Sequence, residues 1–341
     1  MKAAYVRTLL LVIIACGMVL FLRRVDWHTT SLYLRQLGTA APLVLVPYAC
    51  TLCCDTLGWK TSFEHPRTLP FGQLLRLRTA TEALSNSLPG GMAVGETLKT
   101  VLLTRSFGIT LSDAAANVIV SKFALALAHI AFLFCGLWLG AALLTQPGHP
   151  GLFGVCLAVV FGFFVLVLVG AKLAQSSSLS RLLEGLLRVL PARASAALSQ
   201  LHAPAIGLDR SLAVLGRLPR AQLGVSVAYF FLGWLAMGCE NWLILSLLTP
   251  HASFSTALSM EAVVSIVRMA FFFVPAGIGA QDVSYYALLN LSGLPDAQAI
   301  ATAFMLLKRV KEACWIALGY LLLWLRSTTR TGTHDQQSLA L

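Results

Sequence analysis

The chain has 341 residues, of which 57% are hydrophobic and only 11% charged, with a mean hydropathy of +0.79. Soluble domains carry about 25% charged residues, so a water-soluble fold is excluded and an all-α polytopic membrane protein is expected. The net charge of +11 is no nucleic-acid signature: its basic residues flank apolar runs (Lys60, Arg67, Arg76 and Arg78; then Arg181, Arg188, Arg193, Arg210, Arg217 and Arg220), as in cytoplasmic loops, and no nucleic-acid-reading module accompanies them.

In chain order, Lys2 and Arg7 introduce an apolar run that outlines a signal peptide. No small-x-small cleavage pattern follows and Arg23 and Arg24 come at once, so a retained first span over about residues 4–22 is expected. A second span covers about 40–57. Residues 71–88 are too polar to face lipid, because Arg76, Arg78, Glu82, Ser85, Asn86 and Ser87 interrupt them. After a break at Pro89, Gly90 and Gly91, an apolar segment continues over 93–107 with Glu96, Lys99 and Arg105 in it. Ser112 and Asp113 are expected to cap a long third span over about 113–144. A fourth span lies at about 152–173, and an amphipathic linker, about 174–220, suits the cytoplasmic membrane surface. The second half repeats the outline: a fifth span at 221–248, an apolar segment over 255–274 that stops at Pro275, a short return over 279–291, and a last span opened by Pro295 and Asp296 that runs to about 325. Residues 331–341 are expected to be a disordered tail.

The two breaks look like copies of one motif. P-G-G-M-A-V-G-E runs from Pro89 to Glu96 and P-A-G-I-G-A-Q-D from Pro275 to Asp282; in each, glycine follows the proline by two residues and a carboxylate by seven. Paired broken helices in two halves of a membrane protein point to a transport site. Treating 71–107 and 255–291 as re-entrant helix hairpins gives six full spans with both termini in the cytoplasm. Repeat 1 (about 40–145) is then an inverted copy of repeat 2 (about 221–325). The outer loops at 146–151 and 249–255 carry no Lys or Arg, as that orientation requires, whereas Arg23, Arg24 and Arg35 lie outside against it. If each hairpin arm is a full span there are ten spans and the same ends.

Asn86 to Lys99 (N-S-L-P-G-G-M-A-V-G-E-T-L-K), then Thr104 to Thr110 (T-R-S-F-G-I-T), resembles the first signature of the membrane domain of bacterial lysylphosphatidylglycerol synthase/flippases. Phe273 to Asp282 (F-V-P-A-G-I-G-A-Q-D), with the basic helix around Lys308, resembles the second. The resemblance covers about residues 5–325 and implies a lipid-handling membrane domain with two re-entrant hairpins meeting near its middle, placed in the bacterial inner membrane. Full-length relatives add a cytoplasmic aminoacyl-transferase domain; here the chain stops soon after the last span, so lipid aminoacylation is not expected. The second signature departs from the family's P-G-G-[LV]-G-[VI]-x-[DE], with Ala276 in a glycine position.

Ionisable groups in apolar segments usually face a cavity or a partner, since each costs about 2.5–3.5 kcal/mol to insert. Glu96, Lys99, Arg105 and Lys122 in the first half, and Arg268, Asp282, Lys308, Arg309 and Glu312 in the second, are therefore the candidate substrate-binding residues. A cationic cavity for a lipid phosphate is expected, with Glu96 or Asp282 offsetting charge, and an i,i+4 pair between Lys308 and Glu312. Pro89, Gly90, Gly91, Pro275, Gly277 and Gly279 would shape the re-entrant turns. Glu240, Asn241 and Glu261 are equally suited to packing and to substrate contact. The tryptophans, Trp59, Trp234, Trp242, Trp315 and Trp324, read as interface or packing aromatics. Cys50, Cys53 and Cys54 read as small hydrophobes rather than a metal site. No P-loop, hydrolase elbow, zinc or haem spacing is present, so no cofactor, metal or catalytic residue is assigned. The expected function is translocation of a phospholipid or glycolipid with an anionic or zwitterionic headgroup. The alternatives are a non-transporting partner that presents a lipid or polyprenyl intermediate to a separate lipid-modifying enzyme, and a membrane-embedded transferase. A homodimer is compatible with the sequence.

Overall fold

The computed structural model describes residues 27–88, 91–145, 151–175, 218–271 and 274–338. The expected first span, Pro89, Gly90 and nearly all of the 174–220 linker lie outside these residues. Among the described residues the chain is helical throughout, without a strand: α1 (Trp27–Leu37), α2 (Leu45–Thr61, led in by a 3-10 turn, Gly38–Val44), α3 (Phe71–Ser87), α4 (Gly91–Phe107), α5 (Leu111–Leu139), the short α6 (Ala141–Leu144), α7 (Leu152–Gln175), α8 (Arg220–Leu248), α9 (Phe254–Ala270), α10 (Ala280–Leu291) and α11 (Ala297–Ser338). Four segments are long and apolar enough to cross a membrane: Gly38–Thr61, Leu111–Leu139, Leu152–Gly170 and Arg220–Leu248. The protein is an all-α membrane protein.

Three helix ends differ from the sequence reading. Thr110, not Ser112 or Asp113, caps α5: its Oγ1 accepts from the Asp113 N–H at 3.1 Å and donates to the Asp113 carboxylate at 2.7 Å. The reason is spacing, since a cap hydroxyl reaches the third residue into the helix. The same helix breaks at Gly140 rather than running to 144. At the other end of the chain α11 continues to Ser338, through most of the stretch expected as a tail; no proline interrupts it.

Apolar burial alone cannot hold helices together in lipid, so association rests on close packing and interhelical hydrogen bonds. Here α2 and α8 form the central pair. Ser226 donates to the Gly58 carbonyl at 2.7 Å and Thr51 to that of Gly233 at 3.2 Å. Two further glycines bring helices together. A Cβ on Gly136 of α5 would stand 2.6 Å from that of Ala262 on α9, and one on Gly319 of α11 would stand 2.7 Å from the Thr79 carbonyl on α3. These contacts correspond when the halves are exchanged. α3 packs on α11 as α9 packs on α5, α4 on α5 as α10 on α11, and α2 on α3 as α8 on α9. In addition, α3 touches the 3-10 turn Pro275–Gly277 that joins α9 to α10. The break of the second half thus sits against the first arm of the first.

Candidate functional site

Between these elements lies a cavity of about 310 Å³. Its walls come from α2 (Tyr48, Asp55), α3 (Arg78, Glu82, Asn86), α4 (Glu96), α5 (Lys122), α8 (Trp234), α9 (Arg268), the 275–277 turn (Ala276, Gly277), α10 (Gln281) and α11 (Lys308, Lys311, Glu312). The volume is at the lower end for small-molecule sites. It suits a polar headgroup rather than a whole lipid.

Charge in this region is neutralised pair by pair. Glu240 of α8 and Glu261 of α9 are fully buried and anchor the second half. Lys311 donates to Glu240 at 2.8 and 3.0 Å, and Lys308 lies 3.1 Å from the same carboxylate. Glu261 accepts from three donors, the Arg268 guanidinium, the Tyr285 hydroxyl at 2.6 Å and the Asn241 amide at 2.9 Å, and has Lys308 as a further ion-pair partner at 3.6 Å. Lys308 also donates to the Tyr285 hydroxyl at 3.0 Å. In the first half Arg78 meets Asp55 at 2.6 Å. Glu96 holds Lys122 at 2.5 Å and Lys99 at 3.6 Å. Lys99 is buried over the ring of Trp59, 4.2 Å from its centroid, and the Trp59 indole N–H donates to Asn117 at 2.7 Å.

The expected cationic cavity is therefore corrected. Each cation in its wall has a carboxylate partner, because an uncompensated charge in a water-poor interior is far costlier than a paired one. Accessibility ranks them. The side chains of Lys308 and Lys311 are each only 3% exposed, against 41% for Lys122 and 26% for Arg268. Lys122 and Arg268 are thus the cations a headgroup can reach. Glu82 is the wall carboxylate with no hydrogen bond or ion pair among the described residues.

The two motif carboxylates do different work. Asp282 sits at the third position of α10 and accepts from the Gly279 N–H at 2.9 Å, the acidic half of a capping box. It is also gripped by Arg309, through Nε at 3.0 Å and Nη2 at 2.8 Å to both oxygens. Arg309 further donates to the Ala276 carbonyl at 3.2 Å and to Glu312 at 2.5 Å, and Gln281 donates to Glu312 at 3.1 Å. Arg309 therefore ties the 275–277 turn and Asp282 in the first turn of α10 to α11. Glu96 lies well inside α4 and caps nothing; it serves Lys99 and Lys122.

The turn itself passes through left-handed backbone at Ala276 (φ 47), Gly277 (φ 60) and Gly279 (φ 84). For a residue with a Cβ that region costs roughly 1–2 kcal/mol, and glycine's extra unfolded freedom returns about 0.5–1 kcal/mol of the difference. Ala276→Gly is expected to raise stability by about 0.5–1 kcal/mol, read as a higher midpoint of thermal unfolding in detergent. A lower midpoint would mean that the methyl group packs more favourably than the backbone is strained.

Of the residues chosen from sequence, Glu96, Lys122, Arg268, Lys308 and Glu312 line the cavity; Lys99, Asp282 and Arg309 stand directly behind it. Arg105 does not join them: it is exposed near the end of α4. The expected Lys308–Glu312 pair is replaced. Lys308 turns to the buried Glu240 and Glu261, which need a cation more than the partly exposed Glu312 does, and Glu312 is taken by Arg309. Asp55, Arg78, Glu82 and Tyr48 were missed. Their signal was present, since three of them are charges within helical, partly apolar segments, but Arg78 and Glu82 were read only as marks of polarity. Pro275, Gly277 and Gly279 do form the second turn and Gly91 begins α4; Pro89 and Gly90 lie outside the described residues.

The family model described as "Lysylphosphatidylglycerol synthase TM region" matches residues 8–307. No curated protein and no solved structure gives a significant match.

Proposed function

The chain belongs to that family of membrane regions, and from this premise we propose that it moves a lipid headgroup, anionic or zwitterionic, through the central cavity while the acyl chains stay in the bilayer. The observation that carries the reading is the cavity's wall: both broken helix pairs and their flanking helices contribute to it, and it presents two reachable cations, Lys122 and Arg268, with Glu82, a carboxylate that has no hydrogen bond or ion pair among the described residues. A phosphate fits the cations; Glu82 suits the amine of a zwitterionic headgroup.

Both breaks are read as re-entrant. The twelve residues of α10 span about 18 Å at 1.5 Å per residue, too little for a hydrocarbon core of about 30 Å. The seventeen residues of α3, α4 and α9 reach about 25 Å. The exchange symmetry of the helix contacts supports an inverted repeat, the usual frame of a midplane transport site. We place the protein in the bacterial inner membrane with both termini cytoplasmic, working on a phospholipid or glycolipid without chemistry of its own.

The test is headgroup movement in proteoliposomes made from defined phospholipids, comparing the unaltered chain with Lys122→Gln and Arg268→Gln. Each variant leaves its carboxylate another donor, Lys99 for Glu96 and Lys308, Tyr285 and Asn241 for Glu261, so folding is expected to survive. A fall of about tenfold or more in the rate, the loss of one charge-assisted contact, is expected for each. A folded, unaltered chain that moves no anionic, zwitterionic or polyprenyl lipid, with or without an ion gradient, would replace this reading with the one in which the chain presents a lipid to a partner enzyme.

A further inference from the structure

Outside the central cavity a second space of about 500 Å³ lies between α3, the end of α4 and α11. Its walls are apolar, with Leu77 on α3, Phe107 at the end of α4, and Leu322 and Leu323 on α11. At its polar end stand Gln73 and Arg76, three residues apart on one face of α3. Both are exposed, and neither has a hydrogen-bond or ion-pair partner among the described residues. That sets Arg76 apart from every cation in the wall of the central cavity, each of which has a carboxylate.

We propose that this groove is a phospholipid-binding site, with Arg76 and Gln73 on the phosphate and an acyl chain along Leu77, Phe107, Leu322 and Leu323. Charge complementarity selects the headgroup: the guanidinium of Arg76 offers only donors and a positive charge, and the Gln73 amide adds its NH2 donors beside it. The neighbourhood selects a lipid over a free anion. The adjoining face of α11 turns Leu321, Trp324 and Leu325 outward, 48%, 61% and 46% exposed, as a helix facing hydrocarbon does, with its tryptophan near an interface. The site stands whether or not the central cavity transports a headgroup.

Native mass spectrometry of the purified full chain tests it with three probes: phosphatidic acid, diacylglycerol (chains without phosphate) and glycerol 3-phosphate (phosphate without chains). Phosphatidic acid is expected to bind the unaltered chain, and Arg76→Gln to weaken it about tenfold, the loss of one charged contact, without changing retention of diacylglycerol. Leu322→Trp, which fills the groove and keeps the arginine, is expected to weaken both lipids. Glycerol 3-phosphate is expected to give no adduct. Equal binding of phosphatidic acid by the unaltered chain and both variants would overturn the proposal. So would a glycerol 3-phosphate adduct as tight as that of phosphatidic acid, because the site would then hold an anion and no acyl chain.

Discussion

Glu240→Leu is expected to cost the protein about 3–5 kcal/mol, the usual effect of removing one member of a buried ion pair. Glu240 is completely buried in α8 and neutralises two lysines of α11, Lys311 at 2.8 and 3.0 Å and Lys308 at 3.1 Å. Without it Lys308 keeps Glu261 at 3.6 Å, but Lys311 is left with only the ring of Tyr48, 4.5 Å away. Whole domains are stable by about 5–15 kcal/mol, so this one change takes a large share. The midpoint of denaturant unfolding in detergent reads it directly. A companion variant separates charge from packing: Lys311→Met in the Glu240→Leu background removes the stranded ammonium and is expected to restore at least half of the loss. If the single variant were as stable as the parent, the network would contribute nothing, and the charges behind the cavity would need another reason to be there.

The same residues show what a single sequence can and cannot disclose. The second helix break was legible because Pro275, Gly277 and Gly279 are chemically suited to the left-handed turn the chain makes there. Four of the six expected spans, the second to the fifth, were legible from length and composition. What pairs with what was not. Lys308 and Glu312 have the spacing of a local helix pair, yet tertiary partners won: Lys308 sits between the fully buried Glu240 and Glu261, whereas Glu312 is served by Arg309 on its own helix. A local rule worth a few tenths of a kcal/mol yields to a desolvated carboxylate worth several. Glu82 and Arg76 were visible as charges in an amphipathic segment. That neither makes a hydrogen bond or ion pair among the described residues is a property of the packed helices, and no spacing encodes it.

Arg309→Lys is expected to leave the protein folded and to slow headgroup movement by at least about tenfold, the scale of one lost charge-assisted contact or more. The guanidinium makes a fork that an ammonium cannot copy. It meets both oxygens of Asp282 at 2.8 Å while another nitrogen reaches the Ala276 carbonyl at 3.2 Å and Glu312 at 2.5 Å. Lysine can satisfy the charge of Asp282 or the carbonyl of the turn, not both at once. Its side chain is 23% exposed, so the charge is not stranded and the stability cost is expected to stay near 1–2 kcal/mol. The loss falls on geometry: Ala276 and Gly277 form the cavity wall beside α3, and a turn freed from α11 no longer holds that wall at a fixed distance from Lys122 and Glu82. Asp282→Asn loosens the same tie from the other side while keeping an acceptor for Arg309, and its rate is expected between those of the parent and Arg309→Lys. Rates in proteoliposomes, set beside unfolding midpoints for the same samples, distinguish the two effects. Full-rate movement by both variants would take the second hairpin's turn out of the path and leave the cavity's selectivity to the first half, to Glu96, Lys122 and Glu82.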